Sequence, residues 1–200
     1  NRYVIKKEGF QKIPGWPIAY WVNKNVIDNF NKGISIDSIS DYTGSQNITA
    51  NNNKYLRLFW EVENRRIKDF RWVFYAKGGE FRKHYGNLDN VVDWSIEARH
   101  FYKNNSTSNL LDEKYWYKEG ITYNGISIKG AGFRYLPEGC VFDKGGPTIN
   151  YVNNLYYVLA LLNSKITTVF LSLLNPTINI QVKDIKNIPI IISDKYLDTV

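Results

Sequence analysis

Cationic and aromatic residues are concentrated between Arg65 and Gly86, in the segment RRIKDFRWVFYAKGGEFRKHYG. Seven of its 22 residues are Lys or Arg and two are Asp or Glu, so it carries +5 of the net charge of +7. Lys and Arg neutralise phosphates, and the pair Gly78-Gly79 would allow a sugar-phosphate backbone to approach closely. These residue types at this spacing predict a polyanionic partner, and nucleic acid in particular.

Two interpretations compete within this segment, because aromatic strands also build protein cores. Strand alternation turns one face inward, which favours a core role for Trp72 and Phe74. Lys77, Arg82 and Lys83 cluster beside the glycine pair, and for them we favour nucleic-acid binding over a solvated surface.

Residues suited to catalysis or metal binding are scarce. His84 and His100 have no Cys or carboxylate at metal-ligand spacing, and nothing resembles a nucleophile elbow. Cys140, between Gly139 and Val141, is expected to be a small buried side chain. The strings KGAGF and KGGEF lack the P-loop pattern, and no GxGxxG opens a helix. We therefore expect this chain to bind rather than catalyse, and to hold no metal or cofactor.

The composition suits one folded domain of an intracellular protein. A hydrophobic share of 44% can build a sizeable core, and a pI of about 9.3 favours an anionic partner. The single cysteine excludes an internal disulfide and fits a reducing cytoplasm. The start, NRYVIKKEGF, lacks the signal-peptide pattern, and the apolar run LYYVLALL is too short to span a bilayer. We expect no membrane association, and we expect a longer parent protein because the chain begins with Asn and contains no methionine.

Helical patterns occur near both ends of the chain. A helix is expected from Pro17 to Asn31, with Gly33 after its last turn. The string NLYYVLALLNSKITTVFLSLLNP is expected to form one or two helices, with Asn154 and Ser164 as N-caps.

Strand patterns fill the middle of the chain, after an asparagine-rich loop from Thr43 to Asn53. They are KYLRLFWEV, RWVFYAK, NVVDW, YWYKEGITYNGIS, FRYLPEG and CVFDKGG, and INIQVKDIKNIPII is also expected to be extended. Strands followed by helices, without βαβ alternation, predict an α+β domain.

Several stretches, taken in order, resemble one protein family. They are IPGWPIAYWV, TGSQNITANNNKYLRLFWEV, WVFYAKGGEFRKHYGN, YKEGITYNGIS, FRYLPEGCVFDKGG, NLYYVLALLNSKI and LNPTINIQVKDIKNIPI. Together they cover most of the chain, from Ile13 to Ile191. They resemble the C-terminal target-recognition part of large adenine-specific DNA methyltransferases, of the BREX-type, PglX-like phage-exclusion group and the related type II restriction-modification enzymes.

The resemblance implies both a function and a fold. Such enzymes transfer a methyl group from S-adenosylmethionine to N6 of an adenine, using a catalytic domain with a cofactor loop and an Asn-Pro-Pro-Tyr/Phe motif. Neither occurs in these 200 residues, so this chain would choose the DNA site while the other domain flips and methylates the base. The implied fold is α+β, a TaqI-like specificity domain with a twisted, mixed, partly barrel-like β-sheet and flanking helices.

The resemblance also implies partners and a domain division. The partners would be double-stranded DNA, the methyltransferase domain N-terminal to this chain, and other phage-defence subunits. S-adenosylmethionine would be bound by the parent enzyme and not by this chain. Residues 1–33 would form a connector helix from the catalytic domain, and residues 34–200 would form the target-recognition domain.

Three loops are assigned to DNA by this resemblance. The string ITANNNKYL corresponds to a family loop of the type Thr-Gly-Asp-Asn, with Ala50 in place of glycine and Asn51 in place of aspartate. KGGEFRKHYG matches more closely, with His84 where an aromatic residue is common. ITYNGIS is a third candidate loop, in which Asn124 and Ser127 would carry base readout. The residues predicted to contact DNA are Thr49, Asn51, Asn52, Lys54, Arg71, Lys77, Gly78, Gly79, Arg82, Lys83, Asn124 and Ser127.

Other functions stay open at the level of sequence. Aromatic strands with asparagine loops also suit carbohydrate binding, although a neutral glycan gains nothing from a charge of +5. A partner-docking domain would show no DNA affinity even at low salt. A nuclease is the least favoured alternative, because VFDKGG offers one Asp and no second carboxylate.

Overall fold

The computed structural model describes residues 11–19, 21–44 and 47–192, which form an α+β fold. The helices are α1 (Lys24–Lys32), α2 (Ile36–Ile39), α3 (Asn52–Tyr55), α4 (Asn64–Lys68), α5 (Ile96–Asn104), α6 (Leu155–Leu162), α7 (Lys165–Leu174) and α8 (Val182–Lys186). The strands are β1 (Ile34–Ser35), β2 (Tyr42–Gly44), β3 (Leu56–Leu58), β4 (Trp72–Ala76), β5 (Asn90–Asp93), β6 (Gly120–Thr122), β7 (Arg134–Leu136), β8 (Cys140–Phe142), β9 (Thr148–Asn150) and β10 (Pro189–Ile190).

The longer sheets have four strands each. One has the order β2-β9-β6-β7 and is antiparallel throughout. The other has the order β3-β5-β4-β8, and its β4–β8 pair is parallel, with Phe74 opposite Cys140. β1 and β10 form a separate antiparallel pair. The predicted α+β class with mixed sheets and flanking helices is confirmed, and among the described residues the sheets do not close into a barrel.

Each four-stranded sheet buries side chains against helices. Ile121 and Ile149 of the first sheet pack in one cluster with Val158 of α6 and Phe170 of α7. The second sheet contributes to a cluster whose buried members are Tyr55, Val73, Tyr75, Val92, Trp94, Ala98, Tyr102, Trp116 and Val141. The loops that follow β4 and β6, described in the next subsection, are therefore attached to well-packed strands.

Strand β4 shows which side chains the alternation buries. Val73 and Tyr75 are each 1% exposed, whereas Trp72 and Phe74 are half-buried. The core role predicted for Trp72 and Phe74 thus belongs mainly to their neighbours. Trp72 instead lies under the guanidinium of Arg57, which is 6.0 Å from its ring centroid.

The first helix begins later than its sequence pattern predicts. α1 starts at Lys24, because the side chain of Asn23 accepts a hydrogen bond from the Asn25 backbone N–H at 2.9 Å and caps the helix there. Ile18 and Ala19, the described residues directly after Pro17, are not helical, and Ala19 is buried. The helix does end before Gly33, as predicted.

The predicted strands are largely confirmed from β4 to β8. The elements that the sequence patterns do not predict are short helices. RWVFYAK contains β4 and NVVDW contains β5, whereas the helix α5 was not anticipated. Most of KYLRLFWEV is not strand, since only Leu56–Leu58 pairs as β3. INIQVKDIKNIPII contains the helix α8, which begins where the Gln181 N–H donates to Asp184 Oδ2 at 2.9 Å.

The two apolar helices near the C-terminal end are core helices of this fold. Among the described residues no single helix is long and apolar enough to cross a membrane. α6 and α7 reach that length and composition only together, and their axes bend by 71° at the break between them.

Cys140 provides a test of the buried β4–β8 pair. Cys140 is 4% exposed, and burial raises the pKa of its thiol to about 12. At pH 8 its reaction with a thiol reagent should be at least about a hundredfold slower than in denaturant, because an unfolded thiol has a pKa near 8.5. A disulfide reagent that releases a coloured thiolate measures the reaction rate of the folded chain and of the denatured chain by absorbance. Similar rates in the two states would contradict this packing of β8.

Candidate nucleic-acid interface

Strand β4 divides the basic segment into two groups of cations. Arg71 lies before β4 and Lys77 lies after it. Six residue steps of about 3.3 Å place the two Cα atoms about 20 Å apart. Arg65, Arg66 and Lys68, on α4, stay on the Arg71 side. The single patch of +5 expected from the sequence is therefore two separate surfaces.

The cations before β4 are partly neutralised by neighbouring acids. Arg66 Nε lies 3.4 Å from Glu63 Oε2, and Arg71 Nη2 lies 4.0 Å from Asp93 Oδ2. Both arginine side chains are about half exposed, so these pairs are weak and water-screened. The pairing nevertheless lowers the net charge that this surface offers to a phosphate.

The residues Lys77 to Gly86, here called the Gly-Gly loop, begin inside the protein. Lys77 Nζ lies 3.3 Å from Asp143 Oδ2 and is half-buried. Gly78 is buried with φ at +80°, and a Cβ atom there would lie 2.5 Å from the carbonyl oxygen of Gly145. The close approach that requires glycine at this position is thus to the protein's own backbone and not to a sugar-phosphate chain.

Further along, the Gly-Gly loop turns its cations outward. Arg82 and Lys83 are both exposed. Lys83 Nζ donates a hydrogen bond to the carbonyl oxygen of Asn163 at 2.7 Å, which leaves two ammonium N–H groups for an anion. In the described part of the chain, neither side chain has a carboxylate oxygen within 4.0 Å. Both charges are therefore available to a ligand.

A buried guanidinium holds this loop in place. Arg134 is 0% exposed, and its Nη1 donates to the carbonyl oxygens of Gly132 at 2.8 Å and Arg82 at 3.4 Å. Its Nη2 donates to Asn124 Oδ1 at 2.9 Å. Asn124 Nδ2 in turn donates to the carbonyl oxygen of Gly79 at 3.1 Å. Residues from three separate segments are thus joined through one side chain.

The charge of Arg134 is left without a counter-ion. Burial, together with the positive charge of Arg82, lowers the pKa of Arg134 to about 10. No carboxylate forms an ion pair with Arg134 among the described residues, and its Nε has no hydrogen-bond partner there. A desolvated cation of this kind is costly, and an approaching anion would reduce that cost.

A cleft of about 380 Å³ adjoins the Gly-Gly loop and the junction of α6 with α7. Lys83 and Lys129 supply its charge, and no Asp or Glu is among its lining residues. Ser127 lies in the same cleft, so the structure brings two of the predicted contact residues together. Other polar lining residues are Asn163, Ser164, Thr167, Thr168, Ser172, Asn175 and Thr177. Arg82 lines a second cavity of about 520 Å³, whose lining also includes Asp89 and Glu138.

The last residues of the asparagine-rich loop, from Thr49 to Asn53, are held by side chains of the loop itself and of α3. Thr49 is buried, and its Oγ1 donates to Asn52 Oδ1 at 2.7 Å. Asn51 caps α3 by accepting a hydrogen bond from the Lys54 backbone N–H at 3.1 Å. Lys54 Nζ lies 4.9 Å from the ring centroid of Tyr55. Asn51, Asn52 and Lys54 remain exposed above this framework.

This asparagine-rich loop lies beside the start of the Gly-Gly loop. Asn47 forms an isolated parallel bridge with Asp143, the residue whose carboxylate contacts Lys77. The hydroxyl of Tyr75 also donates to the carbonyl oxygen of Asn47 at 2.9 Å. Two of the three predicted DNA loops are therefore connected through Asp143.

The predicted contact residues differ in how accessible they are. The exposed ones are Asn51, Asn52, Lys54, Arg71, Gly79, Arg82 and Lys83, and the half-buried ones are Lys77 and Ser127. Thr49, Gly78 and Asn124 are buried, and their polar atoms or backbone contacts are used within the protein. These three residues support the loops in this structure, and their predicted contact with DNA stays a prediction.

Two relevant residues, Arg134 and Lys129, were absent from the sequence-based set. Arg134 begins the strand predicted from FRYLPEG, and nothing in that string indicates that its guanidinium points inward. Lys129 follows ITYNGIS by two residues, so extending the candidate loop to Gly130 would have included it.

Within the described residues, no group of three His, Cys, Asp or Glu side chains could hold a metal ion.

Comparison with known proteins shows two similar relatives. The chain is 33% identical over 198 residues to the adenine-specific methyltransferase BrxX of Escherichia coli O9:H4 (strain HS), an alignment covering 91% of this chain and 16% of BrxX. It is 33% identical over 214 residues to the adenine-specific methyltransferase PglX of Lacticaseibacillus casei (strain Zhang), covering 94% of this chain and 17% of PglX. No protein-family model matches. The resemblance to BREX methyltransferases is confirmed, and the chain spans about a sixth of the length of these relatives.

Gly78 and Gly139 form a matched pair for testing the packing of the Gly-Gly loop. Their φ angles are +80° and +81°, but a Cβ at Gly139 would meet nothing within 4 Å. Gly139→Ala should therefore cost only the left-handed strain of about 1–2 kcal/mol. Gly78→Ala should cost about 1–3 kcal/mol more, because the Gly145 carbonyl must move. Urea unfolding measures both, and equal losses would contradict the close approach.

Arg134→Lys tests the network that joins the loops. One ammonium group cannot reproduce the planar fork that reaches Gly132 and Asn124 together, so an acceptor should be left unpaired in the interior. We expect a loss of about 1–3 kcal/mol in the free energy of unfolding. Arg99→Lys is the control, because Arg99 contacts the Trp116 ring, away from these loops. Equal stability of Arg134→Lys and the native chain would exclude a structural role for the guanidinium fork.

Proposed function

We propose that this chain is the DNA target-recognition part of a BREX-type adenine-specific DNA methyltransferase. Similarity to BrxX and PglX over almost the whole chain supports the methyltransferase context. The charge distribution supports DNA as the ligand of this part. Methyl transfer from S-adenosylmethionine would be carried out by another part of the parent enzyme.

The observation that carries this proposal is the exposed pair Arg82 and Lys83 beside the buried guanidinium of Arg134, whose Nη1 donates to the Arg82 carbonyl oxygen at 3.4 Å. In the described part of the chain no carboxylate is paired with any of the three, and repulsion by the charge of Arg82 contributes to the lowered pKa of Arg134. A phosphate at Arg82 would relieve this repulsion and partly compensate the buried charge of Arg134. The site therefore favours an anion before any specific contact is considered.

The exposed residues divide into two roles under this proposal. Arg82, Lys83 and Lys129 bind phosphates, which position the protein on the duplex without reading its sequence. Base readout falls to the asparagine-rich loop, where the exposed Asn52 is the candidate, since an asparagine amide can pair with adenine N6 and N7. The support of Arg134 and Asn124 keeps the phosphate-binding loop rigid and so reduces the entropy lost on binding.

Changing Arg82 and Lys83 to Ala tests the phosphate contacts. Each contact contributes about 0.9 to the slope of log K against log[salt], so the double variant should flatten that slope by about 1.8. The loss of affinity should be the same for unrelated duplex sequences. Fluorescence anisotropy with labelled duplexes at several salt concentrations measures both quantities.

Lys24→Ala is the control for this experiment. Lys24 is exposed on α1, and its removal lowers the net charge without touching the Gly-Gly loop. Its slope should stay close to that of the native chain. An unchanged slope in the Arg82, Lys83 double variant would reject the Gly-Gly loop as the phosphate-binding surface. Binding to a neutral glycan with almost no salt dependence would instead support the carbohydrate alternative.

A further inference from the structure

The loop from Gly125 to Gly130 exposes two isoleucines to solvent. Ile126 is 71% exposed and Ile128 is 90% exposed, the largest fraction among the exposed large hydrophobic side chains of the described residues. Ile178, which is 54% exposed, belongs to the neighbouring segment. A single exposed isoleucine needs no explanation, but these three lie on two segments joined by backbone hydrogen bonds, and the set is here called the isoleucine knob.

The backbone of the isoleucine knob is fixed by hydrogen bonds. Ser127 N–H donates to the Ile178 carbonyl oxygen at 3.2 Å, and Ile180 N–H donates to the Gly125 carbonyl oxygen at 2.9 Å. These bonds enclose an antiparallel bridge between Ile126 and Asn179. The exposed side chains therefore stand on a held scaffold and not on a free loop.

The base of the isoleucine knob is equally well attached. Asn124 N–H donates to the Ala131 carbonyl oxygen at 2.9 Å, which closes the loop at its stem. The side chain of the same Asn124 accepts from Arg134 and donates to Gly79. The knob and the Gly-Gly loop are thus parts of one rigid arrangement.

The surroundings of the isoleucine knob are cationic. Ile128 and Ile178 line the cleft of about 380 Å³ together with Lys83 and Lys129. Because this lining has no Asp or Glu, the apolar side chains sit within a purely positive rim. A duplex offers the complementary pattern, since phosphates surround an apolar base stack. An apolar protein surface would match the isoleucines but would leave both lysines without an anionic partner.

We propose that the isoleucine knob is a wedge that unstacks a base step of the bound duplex. Ile126 and Ile128 press between neighbouring bases while Lys83 and Lys129 hold the flanking phosphates. Small apolar side chains of this kind can part a base step, at a cost that the additional contacts offset. The inference rests on the proposed DNA-binding function and deepens it, because it assigns local deformation of the duplex to this chain.

The test compares an intact duplex with the same duplex carrying one central abasic site. Because a base is missing there, inserting a side chain disrupts less stacking and costs less free energy. The native chain should bind the abasic duplex about tenfold more tightly. A 2-aminopurine next to the central step of the intact duplex should brighten on binding. The Ile126→Ser, Ile128→Ser double variant should bind both duplexes within about twofold of each other and leave the fluorophore dim.

Controls separate the wedge from folding and from general DNA binding. Ile96→Ser removes another isoleucine, 75% exposed on α5, and should keep the native preference. The salt slope of the double variant should match the native slope, because no cation is removed. A native preference that persists in the double variant, or an absent preference in the native chain, would overturn the wedge while leaving DNA binding intact. Failure of every variant to bind DNA would instead refute the proposed function and the wedge with it.

Discussion

The buried guanidinium of Arg134 is the constraint on which this face of the protein depends. Its cost in an interior without a paired carboxylate is met by carbonyl oxygens and one amide, each from a different segment. Those acceptors can converge only if the Gly-Gly loop, the loop after β6 and the start of β7 keep one arrangement. The hydrogen bonds of Arg134 thus fix one geometry of these loops. Their net contribution to stability is small, as is common for buried charges.

The second consequence of the architecture is the separation of positive charge. Cations that are close in sequence become two surfaces because β4 is extended, and the surface after β4 combines exposed cations with the buried Arg134. Asp143 links the start of the Gly-Gly loop to the asparagine-rich loop, so the proposed phosphate-binding loop and the proposed base-reading loop share a support. A duplex lying across these loops would meet cations first and asparagines beside them.

Local patterns in the sequence predicted those parts of the fold that depend on local chemistry. Alternating apolar residues identified β4 and β5, and the period of apolar residues identified α6 and α7. α8 was missed because its five residues give too short a period to recognise. The burial of Asn124 could not be foreseen, since it depends on Arg134, ten residues further along and on another strand. Charge composition predicts an anionic ligand, which stays a prediction, whereas long-range pairing decides which cations are exposed and which are buried.

The pairing of distant strands governs the order in which the chain can fold. Ile34 pairs with Ile190 and Gly44 pairs with Thr148. β1 and β2 therefore cannot pair until the ribosome has synthesised residues more than a hundred positions further along the chain. The β3-β5-β4 part has its partners close in sequence and can assemble first around Val73 and Val92. Such a topology closes its large loops slowly and leaves β2 as an unpaired edge during synthesis. Chaperone protection of the nascent chain would matter most in that interval.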